Sequence, residues 1–278
     1  MMMRLSRGFT LVELIIVIVI TGILAVVVGP LIGRGYSSVV QSSNRAFWVQ
    51  QAEYAFFHLR QDLSQSVPNS VRIPTTASNA PAVEFLGFSQ SGIAPRLRYQ
   101  NLPAAVPSGT PKTLDVLTDL TGLTLPISIS IAGNNASQIM SNWQSGNSAG
   151  GVAAVNNLTV TGTPPVTTLT LVNSAHTFPA QSPFRRAYLT DGPVAYQCSG
   201  GYLLRHSSYT DVTSNNTLSV RLGSDPTSAR VIDAVQGCQF SWQPGTTFQP
   251  PSLTVQLTVG NASESIQLID TIVLAGAP

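Results

Sequence analysis

Charge is scarce in this chain. Only 9% of its 278 residues are charged and the formal net charge is +2, too weak a positive balance to indicate a nucleic-acid partner. Lysine is nearly absent: Lys112 stands alone among arginines. Arg185-Arg186 with Arg205 form either a small basic patch or ordinary strand surface. Histidine is limited to His58, His176 and His206. No H-E-x-x-H pair, G-x-S-x-G elbow or phosphate-binding glycine loop occurs, so no enzyme, cofactor or metal is expected. Asp211, Asn215 and Asn216 in DVTSNN supply oxygens but lack the glycine and terminal glutamate of a calcium loop, and read as a solvated turn. The cysteines number two, Cys198 and Cys238. Neither has a CxxC partner or a nearby histidine, which argues against zinc.

What the sequence does have is concentrated at its N-terminus. Residues 1–8, MMMRLSRG, are short and basic through Arg4 and Arg7. Phe9 to Ile32 is then apolar except for Glu13, Thr10, Thr21 and Gly22. At a rise of about 1.5 Å per residue, that run matches a hydrocarbon core of about 30 Å. Arginines before it, and none inside it, leave the leader in the cytoplasm and the rest across the membrane. A secretory signal peptide has a shorter apolar stretch and an A-x-A-like site; Val28-Gly29-Pro30 is a poor substitute. A plain anchor explains the length but not Glu13. A carboxylate in a membrane helix costs about 2.5–3.5 kcal/mol at the centre and less near the interface.

Arg7-Gly8-Phe9-Thr10-Leu11-Val12-Glu13 resembles the class III signal of type IV prepilins, a family that includes pilins, minor pilins and the pseudopilins of type II secretion. The resemblance implies cleavage between Gly8 and Phe9 by a membrane prepilin peptidase, followed by N-methylation of Phe9. Glycine at the cut leaves the backbone open to a peptidase. Glu13 can pair with the Phe9 amine of a neighbouring subunit, offsetting the cost of both charges and setting axial register.

Gly29-Pro30 falls inside the apolar helix. Pro30 removes a donor and clashes with the Val26 carbonyl, so a kink or locally melted turn is expected there. Beyond it, Trp48, Ala52, Ala55, Phe56, Leu59 and Leu63 share one helical face and read as the side on which a sheet packs. Pro68 is the expected stop. From there short alternating runs predict antiparallel strands: 83–88, 96–100, 127–131, 158–161, 167–172, 186–190, 218–222, 239–243, 253–259 and 265–274. Asp191-Gly192, Ser199-Gly200-Gly201 and Val259-Gly260-Asn261 read as turns.

The organisation expected is therefore an α+β chain of type IV pilin-like build, a long N-terminal transmembrane helix packed on antiparallel β-sheets. Its parts are a leader, 1–8, a long helix, 9–66, with 9–32 in the membrane and later in the filament core, and a periplasmic β-rich head, 67–278. The Asn-, Ser- and Gly-rich stretch 132–157 reads as a long loop or insertion that divides the head into two subdomains. An even, small cysteine count in an exported domain favours a Cys198–Cys238 disulfide; two buried thiols are the other reading.

LSQSVPNSVRI at 63–73, AYLTDGPVAYQCSGG at 187–201 and GCQF at 237–240 are similar to MshO-type minor pilins of the mannose-sensitive haemagglutinin (MSHA) pilus, which are related to GspJ-type pseudopilins. The resemblance implies a structural subunit that primes or caps a pilus, held in the inner membrane and then at or near the pilus tip. Its partners would be other pilins, the prepilin peptidase and the inner-membrane assembly platform. A type II secretion pseudopilin and a tip binding or adhesion module that grips DNA, a sugar or a surface are the competing readings.

Overall fold

The computed structural model describes residues 10–74, 81–102, 110–133, 135–145, 149–212, 217–223, 227–246 and 249–274. Helix α1 spans Leu11–Ser64. The chain divides into two compact units, Met1–Trp48 and Val49–Pro278.

In the first unit α1 is apolar on all sides over Leu11–Val28 except for Glu13 and Thr21, and turns polar over residues 37–45. It runs unbroken through Gly29 and Pro30, so the melted turn expected there is not seen. In the second unit α1 becomes amphipathic. Ala52, Ala55, Phe56, Leu59 and Leu63 are buried, while Glu53, Tyr54 and Phe57 are exposed. The helix ends four residues before Pro68. The Gln65 N–H donates to Asp62 O and the Ser66 N–H to Leu63 O, and the Ser64 and Ser66 hydroxyls donate to Gln61 O and Leu63 O. These bonds satisfy carbonyls that the helix end would otherwise orphan.

The rest of the second unit holds three antiparallel sheets. The first is ordered β1 (Ala82–Gly87), β8 (Gly192–Ser199), β9 (Tyr202–Ser207), β10 (Ala229–Ile232). The second runs β2 (Arg96–Arg98), β7 (Arg186–Thr190), β4 (Ile127–Ser130), β5 (Val152–Thr161), β6 (Val166–Leu171), β3 (Thr113–Val116). The third is β11 (Val235–Gln243), β12 (Ser252–Gly260), β13 (Ser265–Val273). An apolar N-terminal helix followed by antiparallel sheets is the α+β class expected.

Two expectations fail. Residues 132–157 do not divide the head. They carry helix α2 (Ala136–Ser145) and lead from β4 into β5, which are neighbours in one sheet. Ile139 and Met140 of α2 pack into a core cluster with Ala82, Leu86 and Ala195, so two buried side chains suffice to hold a helix in a polar stretch. Residues 218–222 form helix α3 (Leu218–Leu222), not a strand. Its buried residues are Leu218 and Arg221, a helical spacing, whereas Val220 is 64% exposed.

The turns carry the chain between sheets as well as within them. Gly200-Gly201, with φ of +60° and +83°, closes the β8–β9 hairpin, matching the need of a two-residue loop for positive φ at both centres. Asp191-Gly192 is instead a corner where the chain leaves the six-stranded sheet for the four-stranded one. Gly192 has φ +147° and a Cβ there would meet the Trp143 ring at 3.3 Å. Asp191 accepts from the Ser89 N–H and hydroxyl, and Thr190 Oγ1 donates to Gly87 O.

Residues 60–62 of α1 are tied to two sheets. Arg60 meets Asp270 of β13 at 2.6 Å. Asp62 accepts from Arg205 Nε of β9 at 2.6 Å and from the Tyr196 hydroxyl of β8 at 2.7 Å. Burial, then the Asp62 charge, push the Tyr196 hydroxyl above its ordinary range, so it stays a donor.

Cys198 of β8 and Cys238 of β11 form a disulfide between the four- and three-stranded sheets, closing a loop of 40 residues. A loop of that length is worth about 3–4 kcal/mol in the chain-entropy model. The Cys198→Ser/Cys238→Ser variant is expected to lose that much in urea titrations. Folded wild-type protein without reductant should resist thiol alkylation; full labelling of both cysteines would contradict the bridge.

Candidate functional site in the N-terminal helix

Gly8 and Phe9 lie outside the described residues. The described helix opens at Thr10, whose Oγ1 accepts from the Glu13 N–H at 3.3 Å while its carbonyl accepts from the Leu14 N–H at 3.2 Å. Thr10 is thus the N-cap and Glu13 stands at the third helical position, the T-x-x-E spacing of a capping box. That spacing is itself a sequence-level signature of a helix start. Glu13 is exposed, and no cation meets its carboxylate among the described residues. It sits where the helix dipole favours negative charge.

Leu11–Val28 has a mean hydropathy of 3.1 and none of it is buried. Eighteen residues reach about 27 Å as helix, long and apolar enough to cross a membrane. A helix apolar all round needs lipid or other protein around it, since leaving each Leu, Ile or Val in water forgoes roughly 1.5–3 kcal/mol. Its one hydroxyl is satisfied internally, Thr21 Oγ1 donating to Val17 O at 2.6 Å. A Cβ at Gly22 or Gly35 would meet nothing within 4 Å, so no contact among the described residues demands either glycine.

The head offers little chemistry. Among the described residues no group of three or more His, Cys, Asp or Glu could hold a metal ion. His58 lies against the Tyr54 and Phe57 rings. His176 is buried with Nε2 3.1 Å from Gly150 O, and His206 is buried on β9. Asp211 lies 3.5 Å from Gln144 Nε2; Asn215 and Asn216 fall outside the described residues. Arg205 leaves the basic patch expected with Arg185 and Arg186, because Asp62 holds it.

The family model of the prokaryotic N-terminal methylation motif matches residues 3–29. None of the curated proteins and none of the solved structures matches the chain. The match covers most of the leader, the expected cut and most of the apolar run, so the N-terminus carries the methylation signal of type IV pilin-like proteins, pseudopilins among them, and the chain behind it has the corresponding α+β build.

Proposed function

We infer that the chain is a minor pilin, a structural subunit that primes or caps a type IV pilus of the MSHA kind, similar to MshO. The observation that carries this reading is Glu13, an exposed carboxylate in the first turn of an apolar helix left uncovered by its own chain. In the membrane, lipid covers that helix. In a filament, helices of other major and minor pilins do, and the amine created at Phe9 supplies the missing cation. The steps are insertion with the head in the periplasm, cleavage between Gly8 and Phe9 by the prepilin peptidase, methylation of Phe9, and uptake into the filament through the inner-membrane platform. Gly29-Pro30 is the proposed site of bending or local unwinding on uptake. A large head, 67–278, suits a place at or near the tip, where it obstructs no helical stacking. Retention of Glu13 suits a subunit that has another ahead of it.

The test is the mature chain in sheared pili. Mass spectrometry should find an N-terminus at methylated Phe9, substoichiometric to the major subunit. Gly8→Leu should leave the full-length chain in the membrane and none in pili. A mature start beyond residue 25 would make the segment an ordinary signal peptide. A methylated Phe9 in a chain absent from pili but required for protein secretion would make it a pseudopilin.

A further inference from the structure

The described arginines from Arg60 onward divide into two groups. Arg60, Arg72, Arg205, Arg221 and Arg230 each meet a carboxylate. Arg96, Arg98, Arg185 and Arg186 meet none among the described residues, and these four lie together. The β2–β7 register pairs Arg96 with Tyr188, Leu97 with Ala187 and Arg98 with Arg186. Leu97 and Ala187 are buried in one core, so alternation puts Arg96, Arg98, Arg186 and Tyr188 on the opposite face, where Tyr188 packs against a second core cluster. Arg96 and Arg98 are exposed and Arg186 is half-buried. Arg185 adds a guanidinium whose Nη1 donates to Gln100 O at 2.7 Å.

Like charges directly opposite across an antiparallel pair are destabilising. Arginine cannot shed its proton to relieve them, and a chain this poor in charge has placed three on two short paired strands. An anion would turn that repulsion into binding, since a guanidinium fork matches phosphate oxygens in pairs. Two further features lie at the same place. Phe184 is 59% exposed and Arg186 lies over its ring, 4.8 Å from the centroid. A groove of about 790 Å³ at the C-terminal end of α1 is lined by Arg60, Arg96, Arg186 and Tyr188, and a smaller one of about 250 Å³ shares Arg186 and Tyr188 with it. Exposed aromatics beside a basic groove are the means by which proteins hold unpaired bases. A duplex hides its base faces, and an acidic polysaccharide has no flat aromatic face to offer.

We propose that the arginine-bearing face of β2 and β7 binds single-stranded nucleic acid, with phosphates on Arg96, Arg98, Arg185 and Arg186 and a base stacked at Phe184. The full chain in nonionic detergent, titrated into labelled oligo-thymidylate and followed by fluorescence anisotropy over a salt series, tests it. Three to four phosphate contacts predict a slope of log K against log salt of about −2 to −3. Arg96→Gln/Arg98→Gln should weaken binding roughly tenfold or more and make the slope shallower by about 1.4. Phe184→Ala should weaken it about fivefold or more with the slope unchanged. The double variant loses opposed charges, so its melting temperature should hold or rise; Arg230→Gln, outside the patch, should bind as wild type does. Salt-independent binding, or an unchanged slope in the double variant, would overturn the proposal. So would a polyuronate that displaces the oligonucleotide at lower charge concentration, or duplex bound as tightly as single strand; the first would assign the face to an acidic polysaccharide.

Discussion

A Glu13→Val chain is expected to be inserted and cleaved normally yet to be lost from pili. Cleavage needs Gly8 and the apolar run, both untouched. The Thr10 cap is also kept, because Thr10 Oγ1 accepts from the backbone N–H of residue 13 and not from its side chain. What disappears is the carboxylate that would meet a neighbour's Phe9 amine. Removing one partner of a buried ion pair leaves the other uncompensated, at about 3–5 kcal/mol, which is more than a hundredfold in an equilibrium. Immunoblots of sheared pili against membrane fractions should show the mature chain retained in the membrane. Thr10→Val separates the two roles of this turn. It removes the cap, worth roughly 1 kcal/mol, but keeps the carboxylate, so that variant should still enter pili. Equal recovery of wild type and Glu13→Val from pili would sink the pairing role.

The N-terminal methylation signal was legible because it is local: basic leader, glycine, carboxylate and apolar run are consecutive. The paired cysteines and most β-strands were legible too, the cysteines from their even, small count and the strands from alternation. What was missed depends on distant partners. Residues 218–222 alternate as a strand does, but burial there follows Leu218 and Arg221. A buried arginine is invisible to an apolar pattern when its carboxylate, Glu84, lies 137 residues away. Strand β8 is absent from the expected runs because it is buried on both faces through Gln197, so it shows no alternation. The arginine face failed for the same reason. Sequence proximity suggested Arg205 as the neighbour of Arg186, whereas register supplies Arg98.

Replacing Glu84 is expected to be the most destabilising single change in the head. Glu84 is fully buried on β1. Its Oε2 accepts from Arg72 Nε at 2.7 Å; its Oε1 accepts from Arg221 Nη1 at 2.6 Å and from the Tyr209 hydroxyl at 2.7 Å. Arg72 is further fixed by donating to Val212 O and by paired backbone bonds with Glu84. Burial first, and the Glu84 charge second, hold the Tyr209 hydroxyl well above its ordinary pKa, so it remains a donor. One carboxylate therefore balances two guanidinium groups, both nearly withdrawn from water. Glu84→Gln keeps the shape and an acceptor but removes the charge. Neither arginine can respond by losing a proton, so the cost should be about 3–5 kcal/mol, a large part of the 5–15 kcal/mol that holds a typical domain. Arg221→Met acts in the opposite sense. It leaves Glu84 matched one to one with Arg72 and still bonded to Tyr209, and should cost less than half as much. Urea titrations of the full chain in detergent, followed by near-ultraviolet circular dichroism, read both values. An Arg221→Met loss equal to or greater than that of Glu84→Gln would show that packing around α3, and not the shared carboxylate, holds this part of the head.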